Sequence, residues 1–373
     1  MDKALIAESV RPNKSGTLTE AIEIIWERKR NYTVEEVATR ASQVIESAIG
    51  NGVTHIRTHV DVDTIGGLIP LQGVALARNR YKDYIDIQIV SFPQEGILRD
   101  PGAEALMWQA MDCGADLVGG MPFNENSYAD SVRHIEIAFE IARKFDADID
   151  MHVDETDDPS ARTLEILAEK TIENGWQGRV TAGHTCALAA YSDDYAAVVI
   201  DKVARAGIHM IANPATNLML QGRGDHQPVR RGITRVQELL DHDVNVSFGQ
   251  DCVCDTFYPF GRDDPLEIAF LMAHAAHMSL PPQVEKIFSM PTLAAAQALR
   301  LKGYGLQPGD KADVVLIDAK DCAEAIRFQS PRRWVIKRGQ VVAETTVTRE
   351  IFLNRCDTIE VARREAEVAA PQQ

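Results

Sequence analysis

The chain has 373 residues, 45% of them hydrophobic, enough to bury one large α/β core with an appendage rather than several small ones. Its 55 acidic side chains outweigh 39 basic ones, and the formal net charge of −16 repels a phosphate backbone and an anionic membrane surface alike, which argues against nucleic-acid polymers and membranes as partners. Six scattered cysteines, no signal-peptide pattern and no run of eighteen apolar residues predict reduced thiols, a cytoplasmic location and no membrane span.

In chain order, residues 16–29 open with a Thr-x-x-Glu capping signal and read as a helix. Residues 53–61 and 84–92 are β-branched runs bounded by polar or glycine-containing segments and read as strands, and similar runs follow at 116–121, 148–153, 178–184, 208–212 and 244–251. Between them, apolar residues recur at three- and four-residue steps over 34–49, 101–113, 127–145, 160–174, 194–206 and 233–241, the pattern of amphipathic helices. Such alternation implies parallel strands with crossover helices. Seven strands are one short of a closed barrel, so the expected fold class is a (β/α)8 TIM barrel whose first strand is missing ahead of residue 1. Past Gly309, Lys311-Ala-Asp-Val-Val-Leu-Ile-Asp318 and Arg333-Trp-Val-Ile-Lys-Arg-Gly-Gln-Val-Val342 read as short strands with a Lys-Arg-Gly turn, the remnant of a small β-sandwich. The expected domains are a barrel over 1–305, a β-sandwich remnant over 306–350 and a tail over 351–373, frayed or helical from 357.

The ends of three strands carry the chemistry. His152-Val153-Asp154-Glu155, Gly183-His184-Thr185 and Gly249-Gln250-Asp251 each close an apolar run with a ligand-type side chain. Catalytic groups of a barrel cluster at the carboxyl ends of its strands, and a His/Asp set there suits a divalent ion, zinc or iron, that activates water for attack on a C–N bond. His152 and Asp251 are the expected metal ligands. Glu155 is placed to shuttle a proton from water to the leaving nitrogen, Asp251 to share in that transfer, and His184 to orient the nucleophile or stabilise charge on the attacked ring. Gln94 offers an amide that donates and accepts at once, suiting a planar heterocycle. The plainer alternatives are a loop-capping histidine, an exposed acidic turn around Asp154, Asp157 and Asp158, and an uncommitted loop glutamine. His55 and His59 read as satisfied core histidines, His274 and His277 as helix residues away from the site, and 221–231 as a polar, glycine-rich loop suited to be a lid. Cys252 and Cys254 are spaced too closely for a zinc knuckle.

Several segments together resemble one family. Arg57-Thr-His-Val-Asp61, Phe92-Pro-Gln-Glu-Gly-Ile-Leu98, His152-x-Asp-Glu155, Gly183-His-Thr185, Asn213-Pro214 with Leu220-Gln-Gly-Arg223, Arg230-Arg-Gly-Ile-Thr-Arg235 and Phe248-Gly-Gln-Asp251 are similar to bacterial cytosine deaminases of the metal-dependent amidohydrolase superfamily, over about residues 15–345. The resemblance implies a barrel flanked by a small β-sandwich and hydrolytic deamination of cytosine with release of ammonia. It also implies one zinc or iron ion on His152 and Asp251, a pyrimidine edge held by Gln94, and a homo-oligomer. In that family a His-x-His pair ends the first strand and supplies two further ligands, with an Asp behind it that Asp2 matches; the pair is expected ahead of residue 1. Where the family has an Asp after the ligand Asp, this chain has Cys252, and where it has a tryptophan, Phe257, so both are expected to line the substrate pocket and alter its preference. Asp116-Leu-Val-Gly-Gly120 and Thr171-Ile-Glu-Asn-Gly175 are similar to the triazine-ring amidohydrolase that removes isopropylamine from N-isopropylammelide, a second substrate class. The Pro-Cys-x-x-Cys of the small zinc deaminases does not occur. Two further readings are a catalytically impaired, truncated homologue and a metal site rebuilt around His59.

Overall fold

In the computed structural model, which describes residues 1–351, the β-branched runs form seven strands: β1 (His55–Asp61), β2 (Asp86–Phe92), β3 (Leu117–Gly120), β4 (Asp148–Val153), β5 (Val180–His184), β6 (His209–Ala212) and β7 (Val246–Phe248). They pair in parallel and strictly in chain order, the arrangement strand–helix–strand crossovers produce. The sheet is curled into a half barrel with helices around it. Both its faces are covered, which is why β5 is buried along its whole length and the strands read as apolar runs rather than alternating ones. Helices stand at Val34–Gly50, Ala103–Asp112, Tyr128–Phe145, Thr163–Glu173 and Asp193–Ala206, close to their periodicities. The first of these turns Val37, Ala41, Val44, Ile45 and Ala48 inward at helical spacing. Thr17 caps the helix Leu18–Lys29 by accepting the Glu20 amide at 3.3 Å, as the capping signal predicts. The helix read at 233–241 is shorter, Val236–Asp241; Thr234 is instead buried against Thr185, the two hydroxyls 2.8 Å apart. No helix among the described residues is long and apolar enough to cross a membrane.

Residues 1–9 run between β1 and the loop that follows β7. The terminal amine of Met1 donates to Thr58 Oγ1 at 2.8 Å, while the Leu5 and Ala7 amides donate to the Val253 and Cys254 carbonyls at 2.9 and 3.1 Å. Among the described residues no further strand pairs with β1 or β7. The tail expected over 357–373 lies outside the described residues.

A second sheet, antiparallel, holds β8 (Val314–Ile317), β9 (Arg332–Lys337) and β10 (Gln340–Glu344) in the order β10-β9-β8. The Lys-Arg-Gly turn joins β9 to β10 with Arg338 at φ 50° and Gly339 at φ 78°, the paired left-handed residues of a two-residue hairpin loop. This sheet is tied to the amino ends of β1 and β2 by one buried cation. Lys337 Nζ donates to Asp86 and Asp313, both at 2.8 Å, and to the Thr54 carbonyl at 3.1 Å. His55 Nε2 stands 3.3 Å away, and burial together with this ammonium pushes its imidazole down to about 4, so it accepts as a neutral ring. His55, Asp86 and Asp313 could by themselves hold a metal ion, but Lys337 already supplies the cation. We expect Lys337→Met to cost about 3 kcal/mol by stranding the buried Asp313 carboxylate, read as a lower urea midpoint. An unchanged midpoint would show that the tie contributes nothing.

Candidate active site

β4 brings His152 to the mouth of the half barrel, and the next residues decide where Glu155 goes. Asp154 takes a left-handed backbone, φ 47°, and turns its carboxylate away from the mouth to cap the helix Thr163–Glu173. It accepts the Thr163 amide at 3.0 Å, the Thr163 hydroxyl at 2.6 Å and the Leu164 amide at 2.9 Å. With Asp154 anchored outward, Glu155 points inward and is only 4% exposed. The acidic run is therefore not an exposed turn at this residue.

His184 (φ 68°) and Thr185 (φ 48°) at the end of β5, and Asp251 (φ 63°) beyond β7, also take left-handed backbone. Side-chain-bearing residues adopt it rarely, at about 1 kcal/mol or more each, and it gathers at functional sites. A Cβ on Gly249 would lie 2.7 Å from Asn213 Oδ1, so a larger residue there would push aside the amide that faces His184.

The metal-ligating atoms of His152, Glu155 and His184 lie within 4.8 Å of one another. His184 Nδ1 is 3.2 Å from Glu155 Oε1, and His184 Nε2 is 4.0 Å from Asp251 Oδ1, which places Asp251 beside the cluster. Side-chain amides face both ring nitrogens of His184: Asn217 at 3.0 Å from Nδ1 and Asn213 at 3.2 Å from Nε2. A neutral imidazole has one donor and one acceptor nitrogen, so one amide must present its oxygen, and Asn217, whose Oδ1 is buried without a partner, is able to. The pair thus holds the His184 ring from both sides. Among the described residues neither the His152 ring nor the Asp251 carboxylate makes a hydrogen bond, so their lone pairs remain open to the cavity. Burial holds His152 and His184 below the ordinary imidazole value, as neutral ligands require. Burial first, and Asp251 second, push the Glu155 carboxyl well above the usual carboxylate range. Neutral imidazoles beside two crowded carboxylates form a donor set that suits a divalent cation.

The cluster opens into a cavity of about 840 Å3 that Gln94, Cys252 and Phe257 also line. Gln94 is buried, and its Oε1 accepts from Lys3 Nζ at 2.5 Å, while Lys3 also pairs with Asp61. With the amide oxygen taken, the free NH2 of Gln94 is left as a donor. His59 Nε2 donates to the Asp150 carboxylate at 3.1 Å, which fits a satisfied core residue, yet it lines the cavity and its ring centroid is 4.4 Å from that of His152. The loop 221–231 leans on the Glu155 loop: the Gly222 amide and Arg230 reach Asp157 at 2.6 and 2.8 Å, and Gln221 reaches the Glu155 carbonyl at 3.4 Å. Lys3 and Asn217 escape the sequence reading, because each matters through a partner distant in sequence; Asp154 and Asn213 stand in visible motifs that say nothing of their bonding.

The model of the amidohydrolase family matches residues 7–343. The chain belongs to this family. Its class is that of hydrolases acting on C–N bonds outside peptides. The amidohydrolase superposes on the 5-methylcytosine deaminase of Klebsiella pneumoniae, solved with 5-fluorocytosine, with a TM-score of 0.91 and 37% identity, covering 94% of this chain and 85% of that one. It is 30% identical over 325 residues to N-isopropylammelide isopropyl amidohydrolase from Pseudomonas sp. strain ADP, 85% of this chain and 76% of the relative. It is 31% identical over 346 residues to the pterin deaminase of Rhizobium rhizogenes, 92% of this chain and 78% of the relative. The resemblance drawn from the motifs and these matches agree on the family and on the barrel fold.

Proposed function

We propose that this amidohydrolase deaminates a planar amino-substituted heterocycle, cytosine or 5-methylcytosine first among them, releasing ammonia. The observation that carries the reading is the meeting of His152, Glu155, His184 and Asp251 in one cavity with the donor face of Gln94. His152 and Asp251 would hold a divalent cation, zinc or iron, which when bound lowers the pKa of water and offsets charge on the attacked ring. Glu155 takes a proton from the attacking water as the new C–O bond forms, then delivers it to the exocyclic nitrogen as the C–N bond breaks. His184, its two ring nitrogens faced by the asparagines, stands beside Glu155 and Asp251, where it orients the nucleophile or offsets charge on the attacked ring. Gln94 NH2 donates to an acceptor on the ring edge, which favours rings carrying a carbonyl or unprotonated nitrogen there. The test is ammonia release by zinc- or iron-loaded protein from cytosine, 5-methylcytosine and pterin; no release from any of them sinks this reading.

Cys252 and Phe257, lining the same cavity, favour a second substrate class, N-isopropylammelide with loss of isopropylamine. A thiol is a weaker hydrogen-bond acceptor than a carboxylate, a loss that weighs more on a primary ring amine with two N–H donors than on a secondary isopropylamine with one. We expect Cys252→Asp to shift kcat/KM toward cytosine over N-isopropylammelide by about tenfold. Equal changes on both substrates would remove Cys252 from the specificity wall.

A further inference from the structure

Gln94 sits in a stretch without regular secondary structure, residues 93–99, whose backbone must be held by something outside itself. Three successive amides of this stretch point at one carboxylate. Ile97 and Leu98 donate to Glu125 Oε1 at 2.6 and 3.1 Å, and Arg99 donates to Oε2 at 2.9 Å. The carboxylate takes a fourth donor from behind, His134 Nδ1 at 2.7 Å, and both side chains are fully buried. His134 Nε2 accepts the Met121 amide at 3.1 Å, which leaves the ring proton on Nδ1 and aims it at Glu125. Asn124, next to Glu125, donates to the Gln94 carbonyl at 2.8 Å.

Space as well as bonding is built for this pair. A Cβ on Gly120 would lie 2.9 Å from His134 Nε2, and one on Gly96, at φ 95°, would lie 2.9 Å from Glu125 Oε1. Neither Glu125 nor His134 lines the cavity, so they do not touch the reacting ring. Burial opposes the charge on Glu125, but its four donors outweigh burial and hold the carboxyl below its ordinary value, so it remains an acceptor throughout.

We infer that the buried Glu125–His134 pair is a positioning device that locks residues 94–99 and thereby sets where the Gln94 amide meets the substrate ring. The inference rests on the reading of Gln94 as a ring contact, and it predicts an effect on substrate affinity rather than on the chemical step.

The test uses the full metal-loaded chain with Glu125→Ala and Glu125→Gln, read by hydrogen–deuterium exchange and by kinetics on cytosine and 5-methylcytosine. In Glu125→Ala, exchange over residues 93–100 rises about tenfold or more while peptides from β4 and β5 keep wild-type protection. KM rises about tenfold with kcat within about threefold, because the lost positioning acts on binding. Glu125→Gln keeps the Oε1 acceptor for His134, Ile97 and Leu98 and strands only the Arg99 amide, so it restores most of both losses. Should Glu125→Ala loosen the strands as well, Glu125→Gln decides, with extra exchange confined to 97–99. Unchanged exchange over 93–100, or a rise in exchange with KM unmoved, overturns the inference. A wild-type chain inert on both pyrimidines would defeat the substrate reading alone, and the exchange result would still decide whether the pair holds the loop.

Discussion

Glu155→Gln lowers kcat by about a thousandfold while metal content and fold stay as they are, the size of effect expected when a positioned proton carrier is lost. The glutamine keeps the shape and can still bond near His184 Nδ1, 3.2 Å away in the wild type, but can neither take nor return a proton. Three features make the effect large. Glu155 is buried, so no solvent base stands in for it. Burial and Asp251 raise its pKa well above the usual carboxylate range, which strengthens it as a base relative to an exposed carboxylate. Asp154, the neighbouring acid in sequence, is committed to the helix cap. The sign of the pH dependence follows: a raised pKa keeps the base protonated to a higher pH, so the acid limb of kcat/KM lies above the ordinary carboxylate range and disappears in Glu155→Gln. A variant retaining more than a tenth of wild-type kcat would assign the proton transfer elsewhere, with Asp251 the next candidate.

His152→Ala should lose metal and turnover together. Its ring lies among Phe92, His59 and His184, with centroids 4.4 Å from each, and no hydrogen bond among the described residues competes for its lone pair. Elemental analysis of the purified variant should show metal falling to less than about a tenth of the wild-type content, since removing one of few ligands forfeits much of the binding free energy. Added zinc should raise the wild-type melting temperature and leave that of His152→Ala unmoved, because only a native state that binds is stabilised by ligand. Undiminished metal in His152→Ala would take His152 out of the ligand set and turn attention to His59, whose ring is already packed against it.

The candidate site residues could be located because strand ends, where a barrel gathers polar side chains, are local events in a sequence. Apolar β-branched runs located β4, β5 and β7, and the residues at or just past their ends, His152, His184 and Asp251, line one cavity with Glu155 and Gln94. The Thr17 cap and the Lys-Arg-Gly hairpin turn were readable for the same reason, since each rests on residues no more than a few positions apart.

Burial, backbone strain and long-range polar pairing were not readable. The same four letters, His152-Val-Asp-Glu155, allow an exposed acidic turn or a buried acid, and what separates them is the Thr163 and Leu164 amides waiting for Asp154 on a helix that begins nine residues later. The left-handed backbone of His184 and Asp251 leaves no mark in residue type, because neither is glycine. Lys3 with Gln94, Asn217 with His184, Glu125 with the amides of 97–99, and Lys337 with Asp86 and Asp313 join positions from 24 to 251 residues apart. Residue type and spacing determine which groups can do the chemistry, as local properties of the chain. Which of those groups are desolvated, held in place or aimed at a ring depends on partners that only folding brings within 3 Å, and that part belongs to the tertiary structure.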